Sequence, residues 1–168
     1  IYIRLYGRYL KPFDYNNKDF KRTYKNGFTI LANCCLLIET YISFTVSGYV
    51  DTKGASERCF GIFFTSAKRF NDFSNGGLTH ADYLNHAIKM KNNKGLPKDF
   101  YQNVRSGILH SGETRNGWKI RRDGNLYDPL TKTINAVKFA ENLKYEIKDF
   151  SDKLKSEDIN TSDIWKTY

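Results

Sequence analysis

Arg105 and His110 stand five positions apart in the run D-F-Y-Q-N-V-R-S-G-I-L-H-S-G-E-T-R-N-G-W, residues 99 to 118. Arginine carries a permanent planar cation whose donors fork onto phosphate or carboxylate oxygens. Histidine is the side chain whose ordinary pKa lets it move protons near neutral pH. A phosphate clamp beside a proton shuttle is the minimum equipment for cutting a phosphodiester. Ser106, next to the arginine, is placed to orient the histidine or the phosphate. Glu113 is a candidate partner for Arg115, or for His110. Tyr101 lies one turn ahead of Arg105 as a supporting residue. On an ideal helix a five-residue step turns through about 500°, leaving the two side chains roughly 140° apart. One helix therefore does not make them converge. The competing structural reading gives Arg105 a carboxylate partner such as Glu39 and leaves His110 as a cation at a helix C-terminus, where the dipole favours it.

The motif is followed by basic residues, Arg115, Lys119, Arg121 and Arg122, with Trp118 and Tyr127 available for stacking on bases. Lys plus Arg number 27 against 18 Asp plus Glu, a formal charge of +9, which favours contact with polyanions. No metal site or cofactor is expected. His80 and His86 are six apart, which is not a ligand spacing on one helical face. Cys34, Cys35 and Cys59 fit neither a disulfide framework nor a zinc site, and read as buried reduced thiols of a cytoplasmic protein. The apolar run around residues 30 to 42 is broken by Asn33, Glu39 and Thr40, so no membrane span is expected. The first ten residues lack the apolar core of a signal peptide.

The elements that must position the motif follow from periodicity. Residues 1 to 17, rich in tyrosine and arginine, read as an irregular arm. A long helix is expected over residues 18 to 47, apolar on more than one stripe and therefore central. Its Glu39 then needs a partner. A second helix begins at Ser56, read as its N-cap, and carries the aromatic stripe Phe60, Phe63, Phe64 and Phe70. Thr79 with Asp82 makes a capping box for a third helix, expected to reach Met90. Asp99 opens the motif helix, which Ser111-Gly112 ends. Asp123-Gly124 between alternating residues predicts a β-hairpin of residues 118–122 and 125–127, with a short strand at 132–134. Asn135 caps a last long helix with the stripe Val137, Ala140, Leu143, Ile147, Phe150 and Leu154. The expected organisation is a terminal arm (1–17), one mainly α domain (18–155) with the hairpin inserted, and a tail (156–168).

This layout, a mainly α helical bundle with Arg105, Ser106 and His110 on a late helix, resembles the HEPN superfamily. Its signature is Arg, four to six residues, then His, with a polar residue often following the Arg. The hairpin is outside the family's minimal four-helix layout. The resemblance implies a metal-independent endoribonuclease acting as a homodimer, with two motif helices meeting in one composite cleft. It also implies RNA as the partner and a setting in bacterial defence or toxin–antitoxin systems, with an antitoxin or partner enzyme as a further contact. Two other readings are a non-catalytic RNA- or nucleotide-binding module and a protein-interaction domain.

Overall fold

The computed structural model describes residues 1–11, 26–46, 55–90 and 93–160. The first part of the expected 18–47 helix, most of the loop before the second helix and the end of the tail lie outside the described residues. The architecture is mainly α with a small three-stranded sheet. The helices are α1 (Tyr2–Tyr9), α2 (Gly27–Thr45), α3 (Ser56–Ser66), α4 (His80–Leu84), α5 (Leu96–Phe100), α6 (Ser106–Ser111) and α7 (Ala136–Ser156). A 3₁₀ helix (Lys68–Phe73) follows α3, and a π turn (Tyr101–Arg105) joins α5 to α6. The strands are β1 (Lys119–Arg121), β2 (Tyr127–Asp128) and β3 (Thr133–Asn135).

α2 is central because it is apolar nearly all round. Ile30, Leu31, Cys34, Cys35, Leu37, Ile38 and Ile42 are buried, and it packs against both α3 and α7. By length and composition it also passes as a membrane span, with a mean hydropathy of 1.5. In this fold its buried residues meet protein, while Phe28, Leu36 and Phe44 are partly exposed. The three cysteines are free and buried, and burial pushes the Cys34 and Cys35 thiols well up, which removes their nucleophilicity. α3 supplies the aromatic half of the core. Phe60, Phe63 and Phe64 pack with Phe70, Phe73, Phe100 and Phe139 at ring distances of 4.8–6.4 Å.

Four sequence expectations are corrected. Residues 2 to 9 are helical, because Leu5 and Leu10 are apolar positions that dock on the bundle. Ser56 is the first residue of α3 rather than its cap, which is Ala55. The capping box at Thr79 forms as expected, with Thr79 accepting from the Asp82 amide at 3.2 Å and its amide donating back at 2.9 Å. The helix it starts nevertheless stops at Leu84. It stops because buried Arg58 takes over the next carbonyls. Nη1 donates to Tyr83 O (2.7 Å) and Asn85 O (2.8 Å), and Nη2 to Ile88 O (2.7 Å). Finally, residues 118–127 are not a hairpin. Gly124 does turn the chain with φ +84°, but β3 lies between the two strands, in the order β1-β3-β2. β1 runs parallel to β3 and β2 antiparallel to it. Asn135 secures this arrangement, its amide donating to Leu126 O and its side chain to Gly124 O, both at 3.0 Å. The same side chain caps α7 by accepting from Val137 and Lys138, as expected.

Glu57, beside Arg58, has its carboxyl pKa raised because burial outweighs the attraction of Lys98 and Arg58. A raised folded value means that ionisation costs stability as pH rises. Glu57→Gln is therefore expected to raise Tm at pH 7. The gain should close below the unfolded carboxyl value of about 4.3, which thermal melts between pH 3 and 8 will show.

Candidate phosphodiester site and basic strand

The motif helix begins earlier than Asp99, at Leu96, with Gly95 as cap and Pro97 in the first turn, where a missing N–H costs nothing. It then widens. The Asn103 side chain donates to Asp99 O (3.1 Å) and Asp99 Oδ1 (2.6 Å), occupying a carbonyl that an α-turn would use. The Ser106 amide reaches back to Tyr101 O instead, closing a π turn directly before the motif. Asn103 also receives the Arg115 amide at 2.8 Å and the Asn116 side chain at 2.9 Å, so it ties the following loop to the helix. Gly107 lets that loop cross close by, since a Cβ there would collide with Glu113 O. Gly112, at φ +69°, ends α6 as expected.

Arg105 faces α2. Its Nε donates to Glu39 Oε1 at 2.8 Å and its Nη2 to Glu39 Oε2 at 3.3 Å, while its guanidinium lies 5.5 Å from the Tyr101 ring centroid. The side chain is 14% exposed. Burial works against the charge, but the hydrogen bond and charge of Glu39 outweigh it and hold the guanidinium pKa above its usual value. Glu39 also borders a cleft of about 270 Å³ lined by Tyr9, Thr40, Ser43, Ser56 and Cys59. The carboxylate that the sequence left in search of a partner thus has one, and that partner is the motif arginine.

His110 lies on the last turn of α6, exposed to solvent. Among the described residues it makes no hydrogen bond, and the Ser106 hydroxyl bonds neither Arg105 nor His110. Within one chain the motif pair is divided between a buried edge and open surface, as the helical angle requires. Leu36 and Leu109 sit one turn from Glu39 and Arg105 on the same helical faces, and they are 41% and 39% exposed.

The basic residues separate into distinct groups. Arg115 donates to Ser111 Oγ at 2.5 Å. Among the described residues no ion pair joins Glu113 to Arg115 or His110. Arg122 turns inward and donates to Asn26 Oδ1 at 3.0 Å, away from the strand's outer face. Lys119 and Arg121 point outward from β1, alternating with Ile120, which packs beside Gly27 of α2. Both border an open cleft of about 380 Å³ with Asp123, Asn125, Asp128 and Thr133. Trp118 is 3% exposed. Its ring stacks on Tyr127 at 5.4 Å and its Nε1 donates to Asp99 Oδ2 at 3.1 Å. Tyr127 is buried as well, so neither ring presents a face to a base. Both join the core because Ile134 of the central strand turns inward beside them. Asp99 is the organising residue that sequence reasoning missed. It serves Trp118, Asn103 and Lys132, the last at 3.3 Å. The one sequence signal for it was an acidic residue in the first turn of the motif helix.

No family model, curated protein or solved structure matches this chain at a significant level.

Proposed function

We propose that the protein is an endoribonuclease of HEPN-like design whose R-x4-H site is completed by a second copy of the chain. The observation that carries this reading is the division of the motif itself. His110 is exposed and makes no hydrogen bond among the described residues, Arg105 sits on the adjoining edge paired with Glu39, and exposed Leu36 and Leu109 flank that edge. A two-fold axis beside α6 covers the leucines and brings two arginines and two histidines around one phosphate. His110 of one copy then takes the proton from a ribose 2′-hydroxyl. The 2′-oxygen attacks phosphorus, the bond to the 5′-oxygen breaks, and that oxygen is protonated by His110 of the second copy. The products are a 2′,3′-cyclic phosphate and a 5′-hydroxyl. Arg105, exchanging Glu39 for phosphate, stabilises the charge gathered on the non-bridging oxygens. Glu39 keeps the guanidinium fork oriented between turnovers, and the positively charged strand draws RNA toward the cleft.

The test is incubation of purified protein with end-labelled RNA in EDTA, with the product ends identified and the mass in solution measured. The reading expects fragments ending in 2′,3′-cyclic phosphate, a dimer, and loss of cleavage in Leu109→Arg together with loss of the dimer. Intact RNA with a monomeric protein overturns it.

A further inference from the structure

The cleft on the outer face of the sheet carries two positive charges side by side. Lys119 and Arg121 occupy alternate positions of β1 and so project to the same face, and among the described residues neither makes an ion pair. Like charges side by side repel, and β1 could be held by Ile120 and its pairing to β3 with neutral residues at both positions. Across the sheet the charges give way to polar groups. Thr133 is the register partner of Lys119, and Asp128 the register partner of Thr133.

The far wall is fixed in place. Asp128 accepts from the Leu130 amide at 3.0 Å and from the Thr131 hydroxyl at 2.8 Å, which lowers its pKa and keeps it ionised. The Thr131 hydroxyl oxygen in turn lies 2.8 Å from that of Thr133. The near wall, Asp123 to Asn125, is anchored through Gly124 O to Asn135. Asp123 is exposed and, among the described residues, makes no ion pair with the two cations. The cleft therefore has a cationic end and an end rich in acceptors. Its volume of about 380 Å³ lies within the range of small-ligand sites, about 300–1,000 Å³.

We infer that this cleft is a ribonucleotide subsite, with Lys119 and Arg121 holding a phosphate and Asp123 and Asn125 accepting from the ribose hydroxyls or the base. Two cations match a phosphate's charge, and free carboxylate and amide oxygens match the hydroxyls that distinguish ribose from deoxyribose. The assignment rests on the ribonuclease reading for its ligand, a nucleotide of the bound RNA strand. It adds a binding contact that lies apart from Arg105 and His110.

Fluorescence anisotropy with a labelled 12-nucleotide single-stranded RNA and the DNA of the same sequence, at fixed salt, tests it. The His110→Ala protein, in which the RNA is not consumed, is the background. Lys119→Ala/Arg121→Ala should weaken RNA binding at least tenfold and flatten its salt dependence. Asp123→Ala should remove the preference for RNA over DNA while leaving DNA binding unchanged. Adenosine 5′-monophosphate should compete for the site in the His110→Ala protein and not in the triple variant. Unchanged RNA affinity in Lys119→Ala/Arg121→Ala overturns the subsite, even if wild-type protein cuts RNA. Loss of binding in that variant, with wild-type protein that never cuts RNA, leaves the subsite standing and overturns the nuclease.

Discussion

His110→Ala is expected to reduce RNA cleavage by a factor on the order of 10²–10⁴ while leaving Tm unchanged within about 1–2 °C. The split follows from where the side chain lies. His110 is exposed on the last turn of α6 and makes no hydrogen bond among the described residues, so its removal costs the fold within about 0.5 kcal/mol. Arg105→Ala behaves differently. It removes the phosphate clamp and strands Glu39 at a partly buried position, so cleavage and stability fall together, the latter by about 1–3 kcal/mol. Arg105→Lys restores the charge but not the fork that meets both Glu39 oxygens, and so recovers little of either. Thermal melts beside initial cleavage rates make the comparison. Full cleavage by folded His110→Ala protein ends the catalytic assignment, whatever Arg105→Ala does.

The second large effect concerns Arg58. Arg58→Met should lower stability by an amount on the order of 3 kcal/mol, a fall in Tm of about 6–12 °C for a chain of this size. The methionine replaces the aliphatic volume but leaves the carbonyls of Tyr83, Asn85 and Ile88 without their donor. Buried carbonyls that lose a partner cost far more than a surface contact does. Arg69 supplies the contrast. It pairs with Asp149 at 2.7 Å, but both side chains are well exposed, and Arg69→Ala should cost less than about 1 kcal/mol. Equal destabilisation by the two substitutions, measured by urea titration, would refute the assignment of Arg58 as the clamp of the 83–88 segment.

Much of this arrangement was written in the order of residue types. The period of α2, the phenylalanine stripe of α3, the Thr79 capping box, the Gly112 terminus and the Asn135 cap each depend on neighbours within a few residues, and each is found. So is the angular separation of Arg105 and His110, a property of helix geometry alone. What required the folded chain were the contacts between residues far apart in sequence. Glu39 and Arg105 were named as one option, but only the packing of α2 against the motif helix brings them to 2.8 Å. Asp123-Gly124 correctly marked a turn, yet which strands it joins was settled by Asn135 and by the inward faces of Ile120, Ile134 and Tyr127. Trp118 is a stacking platform by composition and a core residue by position, because Asp99 holds its indole N–H. Local backbone preferences act through short-range sterics and hydrogen bonds, so the sequence by itself determined most of the helices, the boundaries set by Gly112 and Asn135, and the helical spacing of Arg105 and His110, whereas α1, the early stop of α4 and the start of the motif helix at Leu96 were not legible in it. Burial is a property of the assembled whole, and only the tertiary structure decided which cations, Arg58 and Arg105 among them, are engaged inside the fold and which, Lys119 and Arg121, stand exposed on β1.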